Sequence, residues 1–163
     1  MSKFLIIGDL HLRSSTPEMR TESDFASLCL GKFKWILANA QQLECDAVLQ
    51  PGDFFDSPNP TAKLLIQVTQ AIKESGVYVI ATVGNHDVTG KNSVLYKEES
   101  PLGLLEAAEA IRVLSGGDYE QVGDCVVRGY AYGEKLTEDF VKGKGKKATE
   151  DFEIALVHAS VGA

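Results

Sequence analysis

Histidine is scarce in this 163-residue chain, which holds three, and cysteine is no commoner, also at three. Cys29, Cys45 and Cys125 are widely spaced and odd in number. That excludes a disulfide framework or a zinc-knuckle spacing and points to reduced thiols in a cytoplasmic protein. No apolar run approaches the ~20 residues that a membrane helix needs. Met1-Ser2-Lys3 leads straight into a strand-like run without a small-residue cleavage site, so no export signal is expected. Positive charge is short as well: the net charge is −7, which argues against a protein that wraps nucleic acid by charge alone. An enzyme acting on nucleic acid is not excluded, because bound divalent cations reverse the field of an acidic cleft. The one basic cluster, Lys142 to Lys147, is interleaved with glycine and reads as a solvated loop.

What is present has the composition of one globular domain, with 44% hydrophobic and 24% charged residues. Lys3 to Ile7 reads as a strand ending at Gly8-Asp9-Leu10-His11, and the polar stretch Arg13 to Ser23 as a loop. A helix is expected from about Glu22 to Gln42, with Phe25, Leu28, Cys29, Phe33, Ile36, Leu37 and Ala40 at helical spacing. Trp35 falls in its core or at its rim. Asp46 to Gln50 forms a second strand, stopped by Pro51-Gly52. Thr61 caps a helix to Ser75, Gly76 closes it, and Val77 to Val83 is a third, buried strand. This alternation implies parallel strands joined by right-handed crossovers. Further on come a short helix (Leu102 to Glu109) and strands at Ile111 to Leu114, Tyr119 to Val122 and Cys125 to Tyr132, the last two joined by a Gly123-Asp124 turn. A helix at Glu134 to Val141 and a last strand at Phe152 to Val157 complete the series. No repeat or linker divides residues 1–163.

The strand ends share one chemistry. The first carries Asp9 and His11, and the second Gly52-Asp53-Phe54-Phe55-Asp56. The third carries Gly84-Asn85-His86-Asp87, and the last ends at His158, so every histidine of the chain lies at such an end. Carboxylate, imidazole and amide oxygen suit manganese, iron or zinc, and no cysteine joins the set as structural zinc would favour. Several carboxylates in one cleft repel each other, and any phosphate, unless cations neutralise them. The cluster therefore makes sense as a pair of divalent ions that clamp a phosphate and activate water. Other readings stand beside this one. Asp53 can be a helix cap, Asn85 a left-handed turn residue, and Asp56 a cap or a support for the site. Arg13 and Arg20 either meet phosphates or are solvated; Phe54-Phe55 either packs or stacks on bases.

In order, D-x-H, G-D-x-x-D, G-N-H-D and a strand-end histidine resemble the calcineurin-like metallophosphoesterase family over nearly the whole chain. Gly8-Asp9-Leu10-His11-Leu12-Arg13 and Gly52-Asp53-Phe54-Phe55-Asp56-Ser57-Pro58 are most similar to its DNA-repair nuclease branch, the SbcD-type subunits. The resemblance implies an α/β fold, an αββα sandwich of mixed sheets. It implies a divalent-metal-dependent phosphodiesterase, a DNA exonuclease or endonuclease working with an SbcC-type ATPase; a phosphatase or small-molecule phosphodiesterase of the same family is the alternative. Asp9 and His11 would hold one metal, with Mn2+ the expected ion and Fe2+ or Zn2+ the alternatives, and Asp53 would be shared between two. Asn85 and His158 would hold the second, with His86 as general acid and Asp87 orienting it. The family's later G-H-x-H motif has no counterpart after His158. The chain is thus expected to be the N-terminal portion of a nuclease domain, from a truncated or split gene with a second chain supplying the imidazoles, or to carry a reduced, non-catalytic site.

Overall fold

The computed structural model describes residues 1–21, 24–89, 99–134 and 152–159. The helix expected over Glu134 to Val141, the basic cluster Lys142 to Lys147 and the helix onset at Glu22 lie outside the described residues or run out of them.

Four parallel strands, β1 (Phe4–Ile6), β2 (Ala47–Gln50), β3 (Val79–Ala81) and β4 (Arg112–Val113), form one sheet in chain order. The crossovers are helices α1 (Phe25–Gln42), α2 (Ala62–Ser75) and α3 (Pro101–Ala107). A second sheet orders β5 (Tyr119–Val122), β6 (Cys125–Tyr130) and β7 (Phe152–Val157); β5 and β6 are antiparallel, β6 and β7 parallel.

The central strands of the first sheet are apolar throughout because both of their faces are covered. Val48, Val79, Ala81 and Val113 pack with Leu30, Phe33 and Leu37 of α1, Val68 and Ile72 of α2, and Leu102 and Leu105 of α3. Their neighbours Ala47, Leu49 and Ile80 turn the other way and meet Val122, Val127 and Leu156 of the second sheet. The result is a sheet-on-sheet sandwich, with all three described helices on the first sheet.

Local chemistry sets the helix ends. Asp24 keeps a non-helical backbone (φ −142°, ψ 64°) while its carboxylate accepts from Ser27 N, so α1 starts at Phe25. Its buried stripe is Leu30, Phe33, Leu37 and Ala40. Leu28, expected inside, is 55% exposed, and Trp35 lies at the rim, 67% exposed. Thr61 caps α2 through Leu64 N, and Gly76 ends it in the left-handed region (φ 64°), both as the sequence implies.

Candidate metal centre

The loops leaving β1 and β2 are laced together by their backbones. Leu10 N and His11 N donate to Asp53 O at 3.1 and 3.0 Å, Leu12 N to Phe54 O at 3.0 Å, and Asp56 N to Leu12 O at 3.0 Å. These bonds hold His11 and Asp53 at positive φ, 45° and 53°, where a side-chain-bearing residue stays only if its surroundings require it. Gln50, fully buried at the end of β2, clamps the peptide of Gly52: Gly52 N donates to its Oε1 at 3.0 Å and its Nε2 donates to Gly52 O.

The third loop docks against the second through Asp87. Its buried carboxylate accepts from Gly84 N (2.9 Å), Phe55 N (2.8 Å) and Phe54 N (3.2 Å). Burial pushes its pKa up, and these backbone donors pull the other way. Gly84 is needed where the loops touch, since a Cβ there would lie 2.0 Å from Asp53 N and 2.2 Å from Asp53 Oδ1. Gly52 is needed for the same reason against the His158 ring, 2.3 Å from its Nδ1. The glycines therefore serve the meeting of loops.

On this scaffold the expected ligands converge. Asp9, Asp53 and His158 offer ligand atoms within 4.8 Å of one another, and so do His11, Asp56 and His86. Asp53 Oδ2 lies 3.7 Å from His11 Nε2 and 3.5 Å from His158 Nε2, while Asp53 Oδ1 accepts from His86 N at 2.9 Å. Asn85 Oδ1 is 2.9 Å from His158 Nε2.

Proton positions test whether a cation fits. His158 Nδ1 is 3.0 Å from the carbonyl of Pro51, which can only accept, so that nitrogen carries the hydrogen. In a neutral ring, Nε2 then turns a lone pair toward the oxygens of Asn85 and Asp53. Acceptors facing acceptors call for a cation between them, and a backbone carbonyl on the far nitrogen is the usual brace of a metal-bound histidine. The buried Nδ1 of His11 has no hydrogen-bond partner. The donor set fits divalent ions.

His86 lies beside this set, its ring edge-on to His11 at 4.7 Å and 89°. Its Nδ1 is 3.1 Å from the Asp56 carbonyl oxygen, so Nε2 is the nitrogen left to gain or give a proton. Orientation of this ring, expected from Asp87, thus comes from the Asp56 backbone, and Asp87 is occupied with the loops. Asp56 does not cap α2; its carboxylate pairs with Arg13. Phe54 and Phe55 are fully buried, Phe54 against Phe33 at 5.4 Å, which makes them packing residues and removes the base-stacking reading. Arg20 stacks on the Phe25 ring, 4.6 Å from its centroid.

Sequence reasoning missed Gln50 and Tyr132, whose ring stands edge-on to His158 at 6.0 Å. A polar residue closing the apolar run Ala47-Val48-Leu49 was the only signal for Gln50, and Tyr132 carried none.

The fold thus gathers at its strand ends a candidate centre for divalent metals. Residues 2–162 match the model of the calcineurin-like phosphoesterases, and the chain belongs to that family, whose members bind divalent metals. Among curated relatives, the DNA double-strand break repair protein Mre11 of Aeropyrum pernix is 31% identical over 113 residues, covering 66% of this chain and 25% of that protein. Mre11 of Sulfurisphaera tokodaii is 24% identical over 147 residues, covering 86% and 36%. Among solved structures, the nuclease MPE of Pseudomonas putida matches at 19% identity with a TM-score of 0.45, covering 77% of this chain and 53% of that one. The chain spans no more than 36% of the curated relatives named here.

Proposed function

We propose that this chain carries the metal centre of a DNA phosphodiesterase, an exonuclease or endonuclease working in the cytoplasm. The observation that carries the reading is Asp53 flanked by two imidazoles, with Nδ1 of His158 on the Pro51 carbonyl and its Nε2 turned toward Asp53. Asp9, His11 and Asp53 would hold one ion, and Asp53, Asn85 and His158 the other, with Mn2+ the cation best suited to this mix of oxygen and imidazole. When bound, the ions supply the positive charge that draws in a phosphodiester and lowers the pKa of water. The protein's own part is positional and protonic. Asp53 draws the β1 and β2 loops together, Asp87 fixes the third loop, and the Asp56 carbonyl aims His86. As the water oxygen bonds to phosphorus and gives up its proton to solvent, the P–O ester bond breaks and His86 would give its Nε2 proton to the leaving oxygen, to be reprotonated from solvent.

DNA as substrate, an SbcC-type ATPase as partner and a second chain supplying further imidazoles belong to this proposal. DNA as substrate is supported by the Mre11 relatives, DNA double-strand break repair proteins by name. A side-by-side assay with Mn2+ on duplex DNA, an oligonucleotide and p-nitrophenyl phosphate mono- and diesters tests the reading. Cleavage of DNA and diester is expected; turnover of the monoester alone would make the protein a phosphatase and end the nuclease reading.

A further inference from the structure

Arg13 lies beside the centre, and the proposed chemistry leaves it without a task. Its side chain is 24% exposed and pairs through Nη2 with Asp56 Oδ2, itself on a side chain 30% exposed. The other oxygen of that carboxylate, Oδ1, faces His11 Nδ1 at 3.7 Å. That nitrogen is buried and without a hydrogen-bond partner. The opposite nitrogen of the same ring, Nε2, faces the shared carboxylate of Asp53. The pair also closes the lacing of the two ligand loops, one residue beyond the bond from Asp56 N to Leu12 O and the bridge of Leu12 with Phe55.

We infer that Arg13 is a positioning residue of the metal centre: by holding one oxygen of Asp56 it aims the other at His11 Nδ1 and thereby turns His11 Nε2 toward the cation site. A free aspartate at a loop end rotates and is solvated. A guanidinium, with its planar fork, fixes both the carboxylate's plane and the loop that carries it. The negative charge it sets 3.7 Å from His11 Nδ1 favours a hydrogen on that nitrogen and a lone pair on Nε2. The competing role for an arginine at this place is contact with a substrate phosphate, and that role acts only when substrate is present. This inference rests on the metal-centre reading above.

The test uses Arg13→Gln, which keeps length and donors but loses charge and fork, Arg13→Lys, which keeps charge, and Asp56→Asn. Circular dichroism serves as the check of folding. Substrate-free Mn2+ titration by calorimetry is expected to show binding weakened by about tenfold to a hundredfold in Arg13→Gln, the usual effect of losing such a brace. Arg13→Lys should recover part of it. The double variant Arg13→Gln/Asp56→Asn should bind no more weakly than Asp56→Asn alone, because one unit is broken once. Ring-nitrogen NMR of the metal-free protein is expected to show the Nδ1-protonated tautomer of His11 in the wild type and a mixture in Arg13→Gln. Mn2+ affinity that is unchanged or tighter, or a tautomer that does not move, overturns the inference. If in addition the salt dependence of DNA binding drops by about one unit, Arg13 is a phosphate contact. A wild type that binds no Mn2+ refutes the proposed function, while the tautomer comparison still decides the role of Arg13.

Discussion

His86 and His158 sit on different loops and each rests Nδ1 on a backbone carbonyl. His158 turns Nε2 toward Asp53, whereas His86 meets Asp53 through its backbone N. His86→Ala is therefore expected to leave Mn2+ affinity within about twofold of wild type while lowering turnover on DNA about a hundredfold to ten-thousandfold, the range of general acid catalysis. Calorimetry and initial rates on the same preparation check this, and loss of metal would show His86 to be a ligand. Gly84 makes a second residue-scale prediction. Its missing Cβ leaves room for backbone, which cannot swing aside as a side-chain tip can. Gly84→Ala should cost about 1–3 kcal/mol in urea unfolding and weaken Mn2+ binding with it. At this scale the sequence was readable where a residue type is rare: three histidines, all at strand ends, announce a site. It was silent where the working atom belongs to the backbone, as with the carbonyls of Pro51 and Asp56, because every residue carries the same one.

Elements were read well in kind and order, and their limits shifted where the backbone leaves one partner for another. Val77 to Val83 is one apolar run, yet β3 stops at Ala81. Beyond it Thr82 N still bonds to Gln50 O while its Oγ1 turns to Leu114 O, and Val83 O accepts from Tyr132 N. Cys125 to Tyr132 shortens to Tyr130 for the same reason, as Ala131 N goes to the Glu134 carboxylate. The two sheets are tied at the far end from the site. Tyr78, just before β3, bonds to Glu120 on β5, and Arg112 bridges Glu120 and Glu106. Burial first, then the bond to Glu120, pushes the Tyr78 phenol up to about 12. The folded state thus favours the neutral phenol. The stability this adds is complete below the ordinary tyrosine pKa near ~10 and disappears as pH rises through about 12. In an ultraviolet absorbance titration one of the five tyrosines should ionise late, and Tyr78→Phe should remove that late step.

For the molecule as a whole, the site is a junction of four strand ends, and its acceptors repel one another until a cation arrives. Mn2+ should therefore stabilise the fold as well as activate it. At a hundred times its Kd the gain expected from mass action is about 2.7 kcal/mol, seen as a rise in melting temperature that a chelator reverses. Asp53→Ala, which removes the shared carboxylate, should abolish the shift. An unshifted wild type would make the centre a relic.

What the sequence by itself determined was the alternation of strands and helices, the caps at Thr61 and Gly76, and the identity of the donors. Each of these is encoded within a few residues, by periodicity, by capping chemistry or by residue type. Only the tertiary structure decided which loop holds which: that Asp87 braces backbone in place of orienting His86, that Gln50 clamps Gly52, and that Arg13 closes on Asp56. The first and last of these pairings join residues more than 30 positions apart, Asp87 with Phe55 and Arg13 with Asp56, and they arise from the packing of parallel strands that set their carboxyl ends side by side.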